Sequence, residues 1–278
     1  MRQLAPFVAV LALAAAPAFA AAASTGAAAT TTQITSTQTP APAKPATPTA
    51  VKATPQERIE AERMDPLARA AFWARQADID PKDDDAAIKL ARALRDLGRF
   101  DEAAAAADQL LVFEPNNYDA LLESARARIG ANQGFYALDA AQRAIAIAPR
   151  DWRPQSLLAI ALEQSHRDDE ALAAHRKALA LAPDNPATLT NLGMYFATHG
   201  DAAQAETLMR KAVSEPGAGV QERQNLALVL GMEGRLDEAE HLQRQDLPPD
   251  EVDNNLAYLH SATTATPERS WAALKAGQ

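Results

Sequence analysis

The stretch from Trp152 to Pro183 reads WRPQSLLAIALEQSHRDDEALAAHRKALALAP. Leu157, Leu158, Ala161 and Leu162 recur at helical spacing, and the polar run Ser165-His166-Arg167-Asp168 interrupts them. Ala171, Ala174, Ala178, Leu179 and Leu181 then resume the helical period up to the proline. The pattern predicts two amphipathic helices joined by a tight turn. Proline closes the second helix because it cannot donate to the hydrogen-bond ladder and restricts the residue before it.

The same arrangement recurs on both sides with a constant step of 34 residues. Alanine stands at 103, 137, 171, 205 and 239, proline at 81, 115, 149 and 183, and a second small-residue ladder runs Ala91, Ala125, Ala159, Gly193, Ala227. A stack of equivalent helix pairs imposes such a rhythm, since each copy must offer its neighbour the same close-packing points. Five full copies begin near Asp84, Tyr118, Trp152, Pro186 and Val220, after a partial copy that contains Phe72 and Trp73. Asp250 to Leu259 reads as a final helix covering the last apolar face. After the fourth copy the beat slips by one residue, from Pro183 to Pro216.

Glycine occupies the intra-pair turn at 98, 200 and 234, where it suits a helix C-terminal cap. Small residues at fixed places, the G-x-[FL]-D-E-A turn at Gly98 and Gly234 and the closing proline together resemble the tetratricopeptide repeat. The resemblance implies an all-α superhelical solenoid of antiparallel helix pairs. Copy two departs from the pattern, with Arg128 where an apolar residue is expected and Gly134 where an aromatic is usual. These departures predict either a looser second copy or an Arg128 that points outward.

The organisation that follows is a signal peptide over 1–20, a linker over 21–55, a solenoid over 56–261 and a tail over 262–278. Arg2, the apolar Leu4 to Ala16 and Ala18-Phe19-Ala20 have the form of a cleavable export signal. The apolar run is shorter than the ~20 residues a membrane span needs, so export to the periplasm without a retained span is expected. Residue 21 is alanine rather than cysteine, which argues against a lipoprotein. The Ala/Thr/Pro-rich linker has too few large apolar groups to offset the entropy of ordering.

A formal charge of −9 and the absence of cysteine exclude a basic nucleic-acid face, a disulfide framework and thiolate chemistry. His166, His175, His199, His241 and His260 form no i, i+4 pair, so neither a metal nor a cofactor is expected. Asp83-Asp84-Asp85 reads as helix capping, and His175 as a packed side chain. No phosphate loop, H-E-x-x-H or G-x-S-x-G occurs, and the expectation is a protein that is not an enzyme.

Function is then expected on the inner face, which the first helix of each copy lines. Equivalent positions give Asp85, Ile88 and Arg92; Asp119, Leu122 and Arg126; Arg153, Ser156 and Ile160; Thr190, Asn191 and Met194; and Gln224, Asn225 and Leu228. Such a mixed groove suits an extended peptide or a partner helix. Ile88, Arg92, Glu123, Arg153 and Leu157 stand where some tetratricopeptide domains clamp a C-terminal carboxylate, and they do not make that clamp.

The last third is more particular. Gln224-Asn225-Leu226-Ala227-Leu228-Val229-Leu230-Gly231, Gly234 to Glu240, Asp246-Leu247-Pro248-Pro249 and Asn254 to Leu259 resemble the C-terminal part of TadD-type proteins, the tetratricopeptide component of tight-adherence (Flp) pilus assembly. Asp65-Pro66-Leu67 with Phe72-Trp73 is similar to the start of that family's repeat region. The resemblance implies a periplasmic scaffold with pilus or secretin-assembly proteins as partners. A general envelope adaptor that recruits cell-wall or outer-membrane maintenance proteins is the alternative.

Overall fold

In the computed structural model the described residues are 51–264, so the expected signal peptide, nearly all of the linker and the tail beyond Thr264 lie outside them. Thirteen helices and no strand are found among the described residues. The opening pair is α1 (Pro55–Ala61) and α2 (Pro66–Ile79). Five pairs follow: α3 (Asp84–Asp96) with α4 (Phe100–Phe113), α5 (Tyr118–Gly130) with α6 (Gly134–Ile147), α7 (Trp152–Gln164) with α8 (Asp168–Leu181), α9 (Pro186–Thr198) with α10 (Ala202–Ser214), and α11 (Val220–Met232) with α12 (Leu236–Gln243). Helix α13 (Pro249–Thr264) ends the described part, three residues past the expected limit at 261. Helical structure also begins slightly early. Thr54 caps α1, and the Ala53 amide donates to Gln76 Oε1 at 2.7 Å.

The small-residue ladders do what their spacing implies. Every alanine at 91, 103, 125, 137, 159, 171, 205, 227 and 239 is fully buried, and Gly193 is buried among them. Alanine at these points lets helix axes approach closely, while Leu121, Leu122, Leu162, Leu192 and Tyr195 fill the space between pairs. The residues before the rhythmic prolines, Asp80, Glu114, Ala148 and Ala182, leave helical geometry as proline requires.

Two further ladders hold the helix ends. Asp83, Asn117, Asp151 and Asn185, again 34 apart, each accept a hydrogen bond from a backbone N–H in the first turn of α3, α5, α7 and α9. At the fifth such position stands Gly219, whose amide donates to Glu222 Oε2 at 2.8 Å. The turns inside the five pairs after the opening one close with the same bond, from Arg99, Gln133, Arg167, Asp201 and Arg235 N–H back to Leu94, Arg128, Leu162, Phe196 and Leu230 carbonyls. This motif needs a left-handed residue just before the donor. Gly98, Gly200 and Gly234 supply it at φ 72°, 83° and 81°, but Asn132 and His166 are forced into it at φ 57°.

An L-residue in that conformation is strained by about 1–2 kcal/mol, less for asparagine, and glycine returns part of the gain as chain entropy. Both side chains are exposed or nearly so, and little contact is lost on removal. His166→Gly is expected to stabilise the chain by about 0.5–1 kcal/mol and Asn132→Gly by somewhat less. The urea midpoint measures this, and a lower midpoint for His166→Gly would refute it.

Copy two is not loose. Arg128 turns toward α4, where its guanidinium pairs with Asp108 and its Nε lies 3.4 Å from Ser124 Oγ. Gly134 is buried at the start of α6, against α7. A Cβ added there would lie 2.5 Å from Gln164 Cβ and 2.6 Å from the Ala161 carbonyl oxygen. The missing aromatic therefore reflects a close helix approach rather than a gap.

Candidate functional site

Helix α3 touches α5, α5 touches α7, α7 touches α9, α9 touches α11 and α11 touches α13. Among the described residues the backbones of consecutive second helices do not approach as closely. Where they meet it is through long side chains, as Arg210 Nη2 on α10 donates to Glu238 Oε2 on α12 at 2.9 Å. Hollows open between second helices instead. One of about 390 Å³ is lined by Leu67, Ala74, Leu94 and Ala106, and another of about 270 Å³ by Arg210, Leu230, Asp237 and Leu242. First helices that meet while second helices splay put the first helices on the inner side of the stack.

The structure spreads the expected inner residues over three depths. Leu122 is fully buried in the central core, and Ser156, Thr190, Asn225 and Leu228 are also buried. They support the face from beneath and are not offered to a partner. Ser156 Oγ accepts from Asn191 Nδ2 at 2.7 Å, which ties copy three to copy four. Ile88 and Ile160 are half-buried against the core, and Met194 and Gln224 are half-buried too. Arg92 and Asp119 are exposed or half-exposed, with Arg126 half-buried. Asp85 is engaged by Arg58 Nη1 and Lys89 Nζ, each at 3.1 Å.

Arg153 is held by Asp151, with its guanidinium 5.5 Å from the Tyr118 ring centre. Tyr118 donates its hydroxyl to Asp151 Oδ2 at 2.8 Å. Burial, followed by this hydrogen bond to a carboxylate, pushes the phenol up to about 12. Burial opposes ionisation of Asp151, yet the side-chain and backbone N–H groups of Arg153 and the Tyr118 hydroxyl outweigh it and bring the carboxyl to about 2. Asp151 thus stays a carboxylate that caps α7, holds Arg153 of its own copy and accepts from Tyr118 of the copy before.

In the sequence Glu123 stands only at a failed clamp position, and nothing there singles out Arg95. Glu123 is 1% exposed, and its Oε1 accepts from Arg92 Nε at 3.0 Å and Arg126 Nη1 at 2.7 Å. Oε2 accepts from Arg95 Nε at 3.2 Å. At the far end Gln224, Leu228, Gln243, Asn255, Tyr258 and Leu259 line a small pocket of about 20 Å³, beside which Asn255 Nδ2 donates to Gln243 Oε1 at 3.1 Å. The inner face is therefore cationic at its first two copies and neutral further along.

His175 is 1% exposed and bonds to the largely enclosed Glu163, with Tyr195 tilted against it at 5.7 Å. This pair lies inside the stack, as the packed reading of His175 expects. Among the described residues no group of three His, Asp or Glu side chains is placed to hold a metal, and no helix is long and apolar enough to cross a membrane.

No protein-family model matches the chain, and no curated protein matches it by sequence. Solved structures match it by shape. A thermophilic TPR protein, TTC0263 of Thermus thermophilus, is 22% identical, with 62% of this chain and 96% of that one covered at a TM-score of 0.57. A tetratricopeptide repeat protein from Parabacteroides merdae is 12% identical, with 74% and 80% covered at 0.62. The fold is the tetratricopeptide-repeat solenoid. MamA from Desulfovibrio magneticus is 22% identical, with 57% of this chain and 90% of that one covered at 0.50. At these identities the likeness speaks for the tetratricopeptide fold alone.

Proposed function

We propose that the chain is a non-enzymatic periplasmic scaffold of tight-adherence (Flp) pilus assembly that holds envelope or secretin-assembly proteins along its inner face. The observation that carries the scaffold reading is that face itself. The first helices of copies one to four present Arg92, Arg126, Ile160 and Met194 at equivalent positions, with the half-buried Gln224 of copy five one turn before the next, where an extended segment or a partner helix can lie along them. The pilus assignment is supported by the C-terminal string from Gln224 to Leu259, and export by the signal-like first twenty residues.

Deletion of the gene is expected to abolish surface pili while growth and envelope integrity persist. A photo-crosslinking amino acid at Ile160 or Met194 is expected to trap a pilus or secretin-assembly protein. Normal piliation with altered cell-wall chemistry would overturn the pilus reading in favour of a general envelope adaptor. Crosslinks confined to the splayed outer side would overturn the inner-face reading.

A further inference from the structure

Resting on the inner-face reading, a narrower one follows from the surroundings of Glu123. A buried carboxylate must be paired and hydrogen-bonded, and one well-placed cation suffices for that. Here three guanidinium groups converge on it, which leaves a local surplus of two positive charges in a chain whose net charge is −9. Among the described residues Glu123 is the sole carboxylate that these three arginines pair with. The neighbouring cations are already matched: Arg58 and Lys89 with Asp83, Asp85 and Glu62, Arg69 with Asp96, and Arg153 with Asp151. Asp119 lies one turn before Glu123 and acts on Arg153.

The bonding leaves the outward parts of the cluster open. Arg92 and Arg95 reach Glu123 through Nε, so both terminal amino groups of each remain available, and Arg126 uses Nη1 alone. The three side chains are 47%, 30% and 28% exposed. Guanidinium groups fixed at one edge and open at the other are pre-organised for bidentate recognition of carboxylates. We infer that Arg92, Arg95 and Arg126 form a receptor for two carboxylate side chains on one segment of the partner polypeptide, with Glu123 as the internal strut that spaces the guanidinium groups.

The rest of the stripe selects a peptide over an isolated anion. The position held by Arg92 and Arg126 in copies one and two is Ile160 in copy three, Met194 in copy four and Leu228 in copy five. Packed helices lie about 8–10 Å apart and an extended chain advances about 3.3 Å per residue, so each copy meets about every third residue of such a segment. The partner segment therefore carries two acidic residues about three apart, followed by apolar residues at the same spacing toward copies three and four.

A fluorescent peptide of sequence EGSEGSLGSL tests this by anisotropy with the full chain. Replacing both of its glutamates with glutamine is expected to weaken binding at least tenfold, as is the double substitution Arg92→Gln with Arg126→Gln. Glu123→Gln keeps the shape and one acceptor oxygen but removes the opposing charge, so it is expected to tighten the acidic peptide severalfold. A merely structural role for Glu123 would give a loss or no change. Equal binding of the acidic and glutamine peptides would overturn the receptor and leave the inner face standing as a binding surface. So would displacement of the peptide by equimolar inorganic phosphate, which would assign the cluster to free phosphate. Should the double variant misfold by circular dichroism, the comparison between the two peptides decides alone. Failure of both peptides at millimolar concentration also overturns the receptor, whereas the crosslinking at Ile160 judges the inner-face reading separately.

Discussion

Gly134→Ala is expected to destabilise the chain by about 3 kcal/mol, the upper end of ordinary overpacking, and Gly134→Phe by more. Elsewhere in a helix the exchange of glycine for alanine gains about 0.5–1 kcal/mol, so the sign itself is diagnostic. The new Cβ would meet Gln164 Cβ at 2.5 Å and the Ala161 carbonyl oxygen at 2.6 Å. Neither can step aside. The Gln164 amide is tied to the Ile129 carbonyl at 3.0 Å, and the Ala161 carbonyl accepts from the Ser165 hydroxyl at 2.7 Å. Helix α6 must therefore lift away from α7 and loosen the buried Ala137 and Ala141 contacts with it. Gly231→Ala is the control. Its clash is with the methyl end of the Leu259 side chain, and a flexible side chain can rotate away. Its cost is expected to be about 1 kcal/mol, at the low end of the overpacking range. Urea midpoints for the three variants make the comparison, and a Gly134→Ala protein as stable as the parent would sink it.

The parts of this fold legible in the sequence are those every copy must repeat. The alanines at 103, 137, 171, 205 and 239 are buried identically because each faces the same neighbour, and identical demands leave a periodic trace. The capping ladder of Asp83, Asn117, Asp151 and Asn185 leaves one as well, although alternation between two residue types conceals it. The left-handed turns at Asn132 and His166 are legible only through the period, since they stand 34 residues from Gly98 and Gly200 and the closing bond of the turn imposes there a conformation that the side chains alone do not mark. On the inner face, equivalent positions share a direction but not a depth. Ile88 remains half-exposed while its counterparts Leu122 and Ser156 are covered, because cover depends on the side chains of the next first helix. The Glu123 cluster escapes any periodic reading. It joins residues 31, 28 and 3 positions apart on two helices, and copy three has Leu157 at the equivalent of Glu123. Repetition encodes the scaffold, and departures from repetition encode what is particular to this chain.

Trp73→Ala is expected to cost about 3–5 kcal/mol, as loss of a fully buried tryptophan does, and to spend that loss at one end of the stack. Trp73 has no exposed surface. It packs with Ala61 and Ala86, meets Phe72 edge to face at 4.9 Å, and carries Lys89 Nζ at 4.5 Å and the Arg58 guanidinium at 5.6 Å from its ring. These contacts join α1, α2 and α3. In a stack where each copy touches only its neighbours, stability is a sum of local terms, so a terminal defect need not propagate. Amide exchange is expected to accelerate through α1, α2 and α3, while α7 and α8, which lie within the central core around Leu138 and Leu162, keep their protection. Trp73→Phe separates ring packing from polarity. The indole N–H is buried with no partner, so removing it relieves an unmet donor, and the loss is expected to be only about 1–2 kcal/mol. The functional consequence is specific: Arg92 and Arg95 sit on α3, so fraying of that helix weakens the acidic peptide as strongly as their removal would, although Trp73 itself touches no part of the receptor. A single cooperative loss of all helices, with uniform exchange from α1 to α13, would refute this picture of a stack that yields from its end.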